Sequence, residues 1–185
     1  MIELTAEQIR RAQSYLGHIP GAVPRALVGA INRAAESTRT EASRKVREIY
    51  YVKHKDIIST IKIKKASPEN LMATVTSSGN LLPLAKFRVT PQRPQPRRKS
   101  PVVIRVKRGA EGGSVKNVFV ARMRSGHIGV FGRVGKSRLP IQEKYGPSIP
   151  QMLGNPTVSV WIEEKAVERL EQRLDHEISR ILGGK

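Results

Sequence analysis

The chain has no cysteine, and only one tryptophan, four tyrosines and three phenylalanines in 185 residues. Without cysteine there are no disulfides and no thiolate metal sites. A core with so few rings must be built mainly from Leu, Ile, Val and Ala. No apolar run approaches the roughly 20 residues that span a bilayer. The start, Met1-Ile2-Glu3-Leu4-Thr5, lacks the basic-then-apolar order of a secretory leader. These absences predict a soluble protein made in the cytoplasm, with no membrane partner.

Catalytic constellations are also missing. Between residues 57 and 138 the only acids are Glu69 and Glu111. A metal-dependent nuclease needs several carboxylates converging on one site. The histidines His18, His54, His127 and His176 are not spaced as helical metal ligands. Gly132-Arg133-Val134-Gly135-Lys136-Ser137 superficially suggests a phosphate loop. However, Val130 stands where the first glycine belongs, and Arg138-Leu139-Pro140 replaces the helix that should follow. No Gly-x-Ser-x-Gly elbow occurs. The expectation is a protein with no catalytic residue, metal or cofactor, and not an enzyme.

What the chain does have is positive charge. The formal net charge is +19. Residues 1–56 hold ten Lys/Arg and six Asp/Glu, and residues 139–185 hold six and seven. Residues 57–138 hold eighteen and two, so nearly all the excess lies there. A field this concentrated repels itself unless a polyanion or an acidic surface is near. Nucleic acid is the commonest polyanion; solubility with non-specific stickiness is the plainer reading.

Apolar periodicity predicts an α+β fold of one domain, residues 1–185. A helical part occupies 1–56: a short helix over 5–16 with Thr5 as cap, and a long one from Pro24 to Tyr50. The long helix carries Leu27, Ile31, Ala34, Ala42, Val46 and Ile49 on one stripe, with Thr38 filling the gap. A basic sheet region follows over 57–138. Strands are expected at 61–64, 71–76, 82–89, 102–107, 118–124 and 128–131, making one antiparallel sheet of about five strands. Residues 139–156 are turn-rich. A C-terminal helix over 157–185 presents Val167, Leu170, Leu174, Ile178 and Ile181 as its stripe.

A proline-rich arm over 90–101 interrupts the sheet region, because prolines cannot donate ladder hydrogen bonds. From Pro91 to Arg108 there are seven cations and no acid: Arg93, Arg97, Arg98, Lys99, Arg105, Lys107 and Arg108. Arginine's planar fork pairs well with phosphate oxygens. No aromatic residue lies in this stretch, which disfavours base stacking and favours backbone contact with double-stranded DNA. The competing reading is a loop that orders only against another protein.

One stretch has a familiar look. It runs Arg122-Met123-Arg124-Ser125-Gly126-His127-Ile128-Gly129-Val130-Phe131-Gly132-Arg133, then Arg138-Leu139-Pro140-Ile141, then Tyr145-Gly146-Pro147-Ser148-Ile149-Pro150-Gln151-Met152. Together with Ala30-Ile31-Asn32-Arg33-Ala34-Ala35, Ile61-Lys62-Ile63-Lys64-Lys65-Ala66 and Leu82-Pro83-Leu84 before Phe87, it resembles the prophage minor tail protein Z family. These are tail completion proteins of lambda-like long-tailed phages. The resemblance implies a virion protein at the head-proximal end of a tail, assembled in the host cytoplasm. It implies a ring of identical subunits, hexameric, that meets tail terminator or tail tube and head connector proteins and receives double-stranded DNA. A subunit or neck interface is expected at Phe131, Arg133, Pro140, Ile141, Tyr145 and Pro147; an internal cap over the sheet is the alternative. The competing assignment, resting on charge alone, is a cellular basic nucleic-acid-binding protein.

Overall fold

A computed structural model describes residues 2–184. Helix α1 (Ala6–Leu16) opens on a reciprocal cap. The Thr5 hydroxyl accepts from the Gln8 amide at 3.2 Å, and the Gln8 side chain accepts from the Thr5 amide at 2.8 Å. Helix α2 (Ala22–Ile49) starts two residues before the expected Pro24, after Gly21 at φ +69°. Pro24 stays within the first turn, where no amide partner is needed. Helix α3 (His54–Ile58) is one turn. Near the C-terminus come α4 (Ile149–Leu153), capped by Ser148, and α5 (Pro156–Leu182), capped by Asn155.

Helices α2 and α5 pack along their lengths. Ala26, Leu27, Ala30, Ile31 and Ala34 share a core with Leu170, Leu174, Ile178 and Ile181. The alanines let the two backbones approach closely. Val167 departs from the expected stripe and is 63% exposed. Ion pairs border the seam: Arg11 reaches Glu171 at 2.6 Å and Asp175 at 3.1 Å, and Arg169 reaches Glu41 at 2.8 Å. Glu177 is buried between Arg33 and Arg180.

The strands do not form the expected single sheet. They form four small antiparallel ones. The first pairs β1 (Ile2–Glu3), β3 (Met72–Ser77) and β2 (Ile61–Lys64), with Ile2 opposite Ala73 and Ile61 opposite Ser77. The second is β4 (Leu82–Pro83) with β11 (Tyr145–Gly146). The third orders β5 (Arg88–Thr90), β6 (Val102–Arg105) and β7 (Gly113–Val115). The fourth orders β8 (Val118–Arg122), β9 (Ile128–Arg133) and β10 (Ile141–Glu143).

Proline explains part of the fragmentation. The expected strand over 82–89 breaks at Pro83 into β4, a 3-10 turn over Leu84–Lys86, and β5. The turn-rich segment after residue 139 supplies β10, β11 and α4, so it pairs into the fold. Short strands bury little each, and the core divides accordingly. A second cluster gathers Val46, Tyr50, Ile57, Ile149, Met152 and Val158 between the long helices and the strands. A third, of Val89, Val102, Ile104 and Val130, holds the third and fourth sheets together.

Asn32 ties α2 to the connection between β2 and β3. Its side chain donates to the Ala66 carbonyl at 3.1 Å and accepts from the Ala66 amide at 2.8 Å. Among the described residues, no helix is long and apolar enough to cross a membrane.

Candidate nucleic-acid interface

The basic residues are organised around the end of α2. Helix α2 stops at Ile49, and Tyr50 turns into extended backbone. The chain there is stitched to the exit of β6. The Tyr51 amide donates to the Val106 carbonyl at 2.9 Å, and the Arg108 amide donates to the Ile49 carbonyl at 2.7 Å. Tyr50 and Lys107 form an isolated bridge. The expected strand over 102–107 therefore ends at Arg105, and residues 106–108 change partner to the helix end.

This stitching brings three cations onto two tyrosines. The Arg108 guanidinium lies 4.5 Å from the Tyr51 ring centroid, and that of Arg88 lies 5.5 Å from the same ring. Lys107 Nζ stands 5.8 Å from the Tyr50 centroid. Arg88 also donates to the Tyr51 hydroxyl at 3.4 Å, and Arg108 Nε donates to the Arg47 carbonyl at 2.8 Å. Arg105 sits directly opposite Arg88 in the β5–β6 ladder. Like charges in that position repel by up to about 1 kcal/mol. Two exposed cation–π contacts, each about 0.5–1 kcal/mol, offset this repulsion and hold the guanidinium groups in place. Among the described residues, no ion pair involves Arg47, Arg88, Arg105, Lys107 or Arg108. The cluster is thus cationic, preorganised and uncompensated, which suits phosphate oxygens on a backbone.

The arm divides by role. Arg93, Arg97 and Lys99 are exposed. Arg98 is spent inside the arm: it donates to the Ser100 carbonyl at 2.9 Å, the Pro101 carbonyl at 3.1 Å and Gln95 Oε1 at 3.4 Å. Its guanidinium shapes the loop that displays its neighbours.

Sequence reasoning missed Tyr50, Tyr51, Arg47 and Arg88. The Tyr-Tyr pair at a helix end was the available signal. Nothing local connects it to Arg88 or Arg108, which arrive through the tertiary stitching.

The residues expected at a subunit interface are mostly gathered at the fourth sheet and its exit. Arg133 pairs with Ile141 across β9 and β10, and the Pro140 carbonyl accepts from the Val134 amide at 3.2 Å. Arg133 and Pro140 are exposed, and Ile141 and Pro147 are half-buried. Tyr145, 50% exposed, is held by its backbone against Pro83. Phe131 is 6% exposed, edge-on to His127 and tilted against Phe119, so its ring packs within the subunit. The turn before β9 needs Gly126, whose φ is +83°. His127 Nε2 then meets Glu143 Oε1 at 2.8 Å across the sheet.

One further pair has the look of chemistry. Ser43 Oγ lies 2.7 Å from His54 Nδ1. Ser43 is 1% exposed, out of reach of a substrate, and the contact satisfies a buried hydroxyl.

No curated protein and no solved structure matches the chain. The family model for prophage minor tail protein Z matches residues 11–183. That range takes in the α2–α5 seam, the tyrosine-centred cations, the arm and the fourth sheet. The chain therefore belongs to the prophage minor tail protein Z family, whose members are structural components of phage tails.

Proposed function

We propose that the protein completes the head-proximal end of a long phage tail as a ring of identical subunits, hexameric by family resemblance. In this reading it assembles in the host cytoplasm and meets tail terminator or tail tube proteins on one side and head connector proteins on the other. Its basic module receives the end of the double-stranded DNA through phosphate contact, without reading sequence. Arg93, Arg97, Lys99, Arg105, Lys107 and Arg108 make that contact, joined by Arg47 and Arg88. Arg98 acts by shaping the arm. Arg133, Pro140, Ile141, Tyr145 and Pro147 lie toward a neighbouring subunit.

One observation carries the DNA-facing part: cations held over Tyr50 and Tyr51 with no acidic partner recorded among the described residues, in a chain that belongs to a tail family. The scarcity of aromatic rings on the exposed arm supports backbone contact over base stacking.

Two measurements test the reading. The affinity of purified protein for duplex DNA is followed against salt, with a slope of about −0.9 expected for each phosphate engaged. A slope near zero removes the DNA contact. Tagged protein is also located on tails by electron microscopy. Label at the head-proximal tip is expected, and label confined to the distal tip rejects the placement.

A further inference from the structure

The helical end of the molecule carries a groove that the phosphate-facing cluster leaves unused. It encloses about 650 Å3. Ala42 of α2, Ile61 and Val75 of the first sheet, Leu153 of α4, and Ile162 and Val167 of α5 line it. Val160, seven residues before Val167 on the same helix face, is also exposed, so the apolar strip continues outward. Such an open apolar strip is characteristic of a surface that a partner covers.

Two polar features of the groove narrow the choice of partner. Eight of the chain's fifteen carboxylates are ion-paired to Lys or Arg among the described residues, but Glu3 and Glu163, both on the groove, are not. Thr38, 5% exposed, also lines it, and its buried Oγ1 has no hydrogen-bond partner. The groove wants apolar side chains, cations and one polar group.

The loop between β9 and β10 carries that combination. Val134 and Leu139 are 65% and 67% exposed there. Arg133, Lys136 and Arg138 flank them, and none has an ion pair among the described residues. We propose that the Val134–Leu139 loop of one copy seats in the groove of the next. Val134 and Leu139 pack against Leu153, Ile162 and Val167. The loop cations face Glu163 and Glu3, and a polar group of the loop reaches Thr38.

In a ring the loop of each copy meets the groove of the next, so the contact runs head-to-tail and propagates until it closes; a reciprocal pair, each loop in the other's groove, would stop at two copies. A loop-to-loop contact would instead set cations against cations with no counter-charge. The inference rests on the ring reading above and names the surfaces that would build it.

The lack of native cysteine makes a clean test possible. Leu139→Cys and Val167→Cys both change exposed side chains, and circular dichroism checks that each variant folds. On mild oxidation of the concentrated protein, the double variant should give a ladder of dimers, trimers and larger species. The two single variants mixed together should stop at dimers, and neither alone should cross-link above background. Glu163→Arg in the double-cysteine chain should weaken the ladder at least several-fold, and adding Arg138→Glu should restore it. No ladder, an intrachain product, or efficient dimers from Leu139→Cys alone would each overturn the proposal. Incorporation into tails is scored separately. A ladder without incorporation keeps the loop–groove contact and removes the tail placement; incorporation without a ladder does the reverse.

Discussion

The Arg108 guanidinium stands 4.5 Å from the Tyr51 ring centroid, while its Nε donates to the Arg47 carbonyl at 2.8 Å. A residue 57 positions later in the chain is thereby fixed on the end of α2. Arg88 takes a second place on the same ring at 5.5 Å. Fixing both guanidinium groups beforehand lowers the ordering cost of meeting a phosphate. Arg88→Ser and Arg108→Ser should each reduce the magnitude of the DNA salt slope by about 0.9. Tyr51→Leu should weaken binding with the charge unchanged, because the cations lose their seat. Titration by fluorescence anisotropy at several salt concentrations reads both effects; an unchanged slope in the arginine variants would remove them from the interface.

The arm offers an internal contrast. Arg98→Ser removes three hydrogen bonds that close the loop. It should make residues 91–101 a preferred site of limited proteolysis. Arg97→Ser with Lys99→Ser should weaken DNA binding but leave the proteolytic pattern as it was. Equal digestion of the two variants would show that Arg98 does not shape the arm.

The α2–α5 seam should dominate stability. Leu174 is fully buried in it, and Leu174→Ala should cost about 2–5 kcal/mol. At about 2–4 °C per kcal/mol for a chain of this size, Tm should drop by several degrees. Val167→Ala, at an exposed position of the same helix, should stay within about 0.5 kcal/mol. Calorimetry distinguishes the two.

Asn32 should matter more than its half-buried position suggests. Asn32→Leu leaves the Ala66 amide and carbonyl without their partner, at about 1–3 kcal/mol for each group that stays buried. Amide hydrogen exchange should quicken at Ala66 first. Exchange that stays slow there would mean that another group had taken over the pairing.

Acid should loosen α1. The Glu171 carboxyl accepts from the Gln8 side chain and from Arg11, and these two contacts hold its pKa below the ordinary carboxylate value. A depressed carboxylate pKa stabilises the fold above the unfolded value, roughly 4.3 for Glu, and that contribution is lost as pH falls through the folded value. The side chain is 41% exposed, so solvent screens the effect and it should be small. Thermal unfolding followed from pH 6 down to about pH 3 should show a steeper loss in the parent than in Glu171→Gln. Parallel curves would assign the acid sensitivity elsewhere.

Helices were the most legible part of the fold. The Thr5 cap and the stripes of α2 and α5 are local patterns, and local patterns survive in one dimension. The basic middle and the family's segments were legible for the same reason. Sheet organisation was not. The alternation at Ile61–Lys64 predicts a strand correctly, but pairing depends on partners far along the chain. Val167 shows the limit on a helix: its spacing fits the stripe, yet no neighbour covers it.

By itself, the sequence determined the long helices, the Thr5 cap of α1, the excess of cations between residues 57 and 138, and membership of a tail protein family, because each is written in neighbouring residues or in counts. Only the tertiary structure decided that four short sheets replace one, that Arg98 serves the arm while Arg88 and Arg108 share Tyr51, and that Asn32 reaches Ala66. Those outcomes turn on hydrogen bonds and ring contacts between residues dozens of positions apart, whose formation depends on the packing of the whole chain.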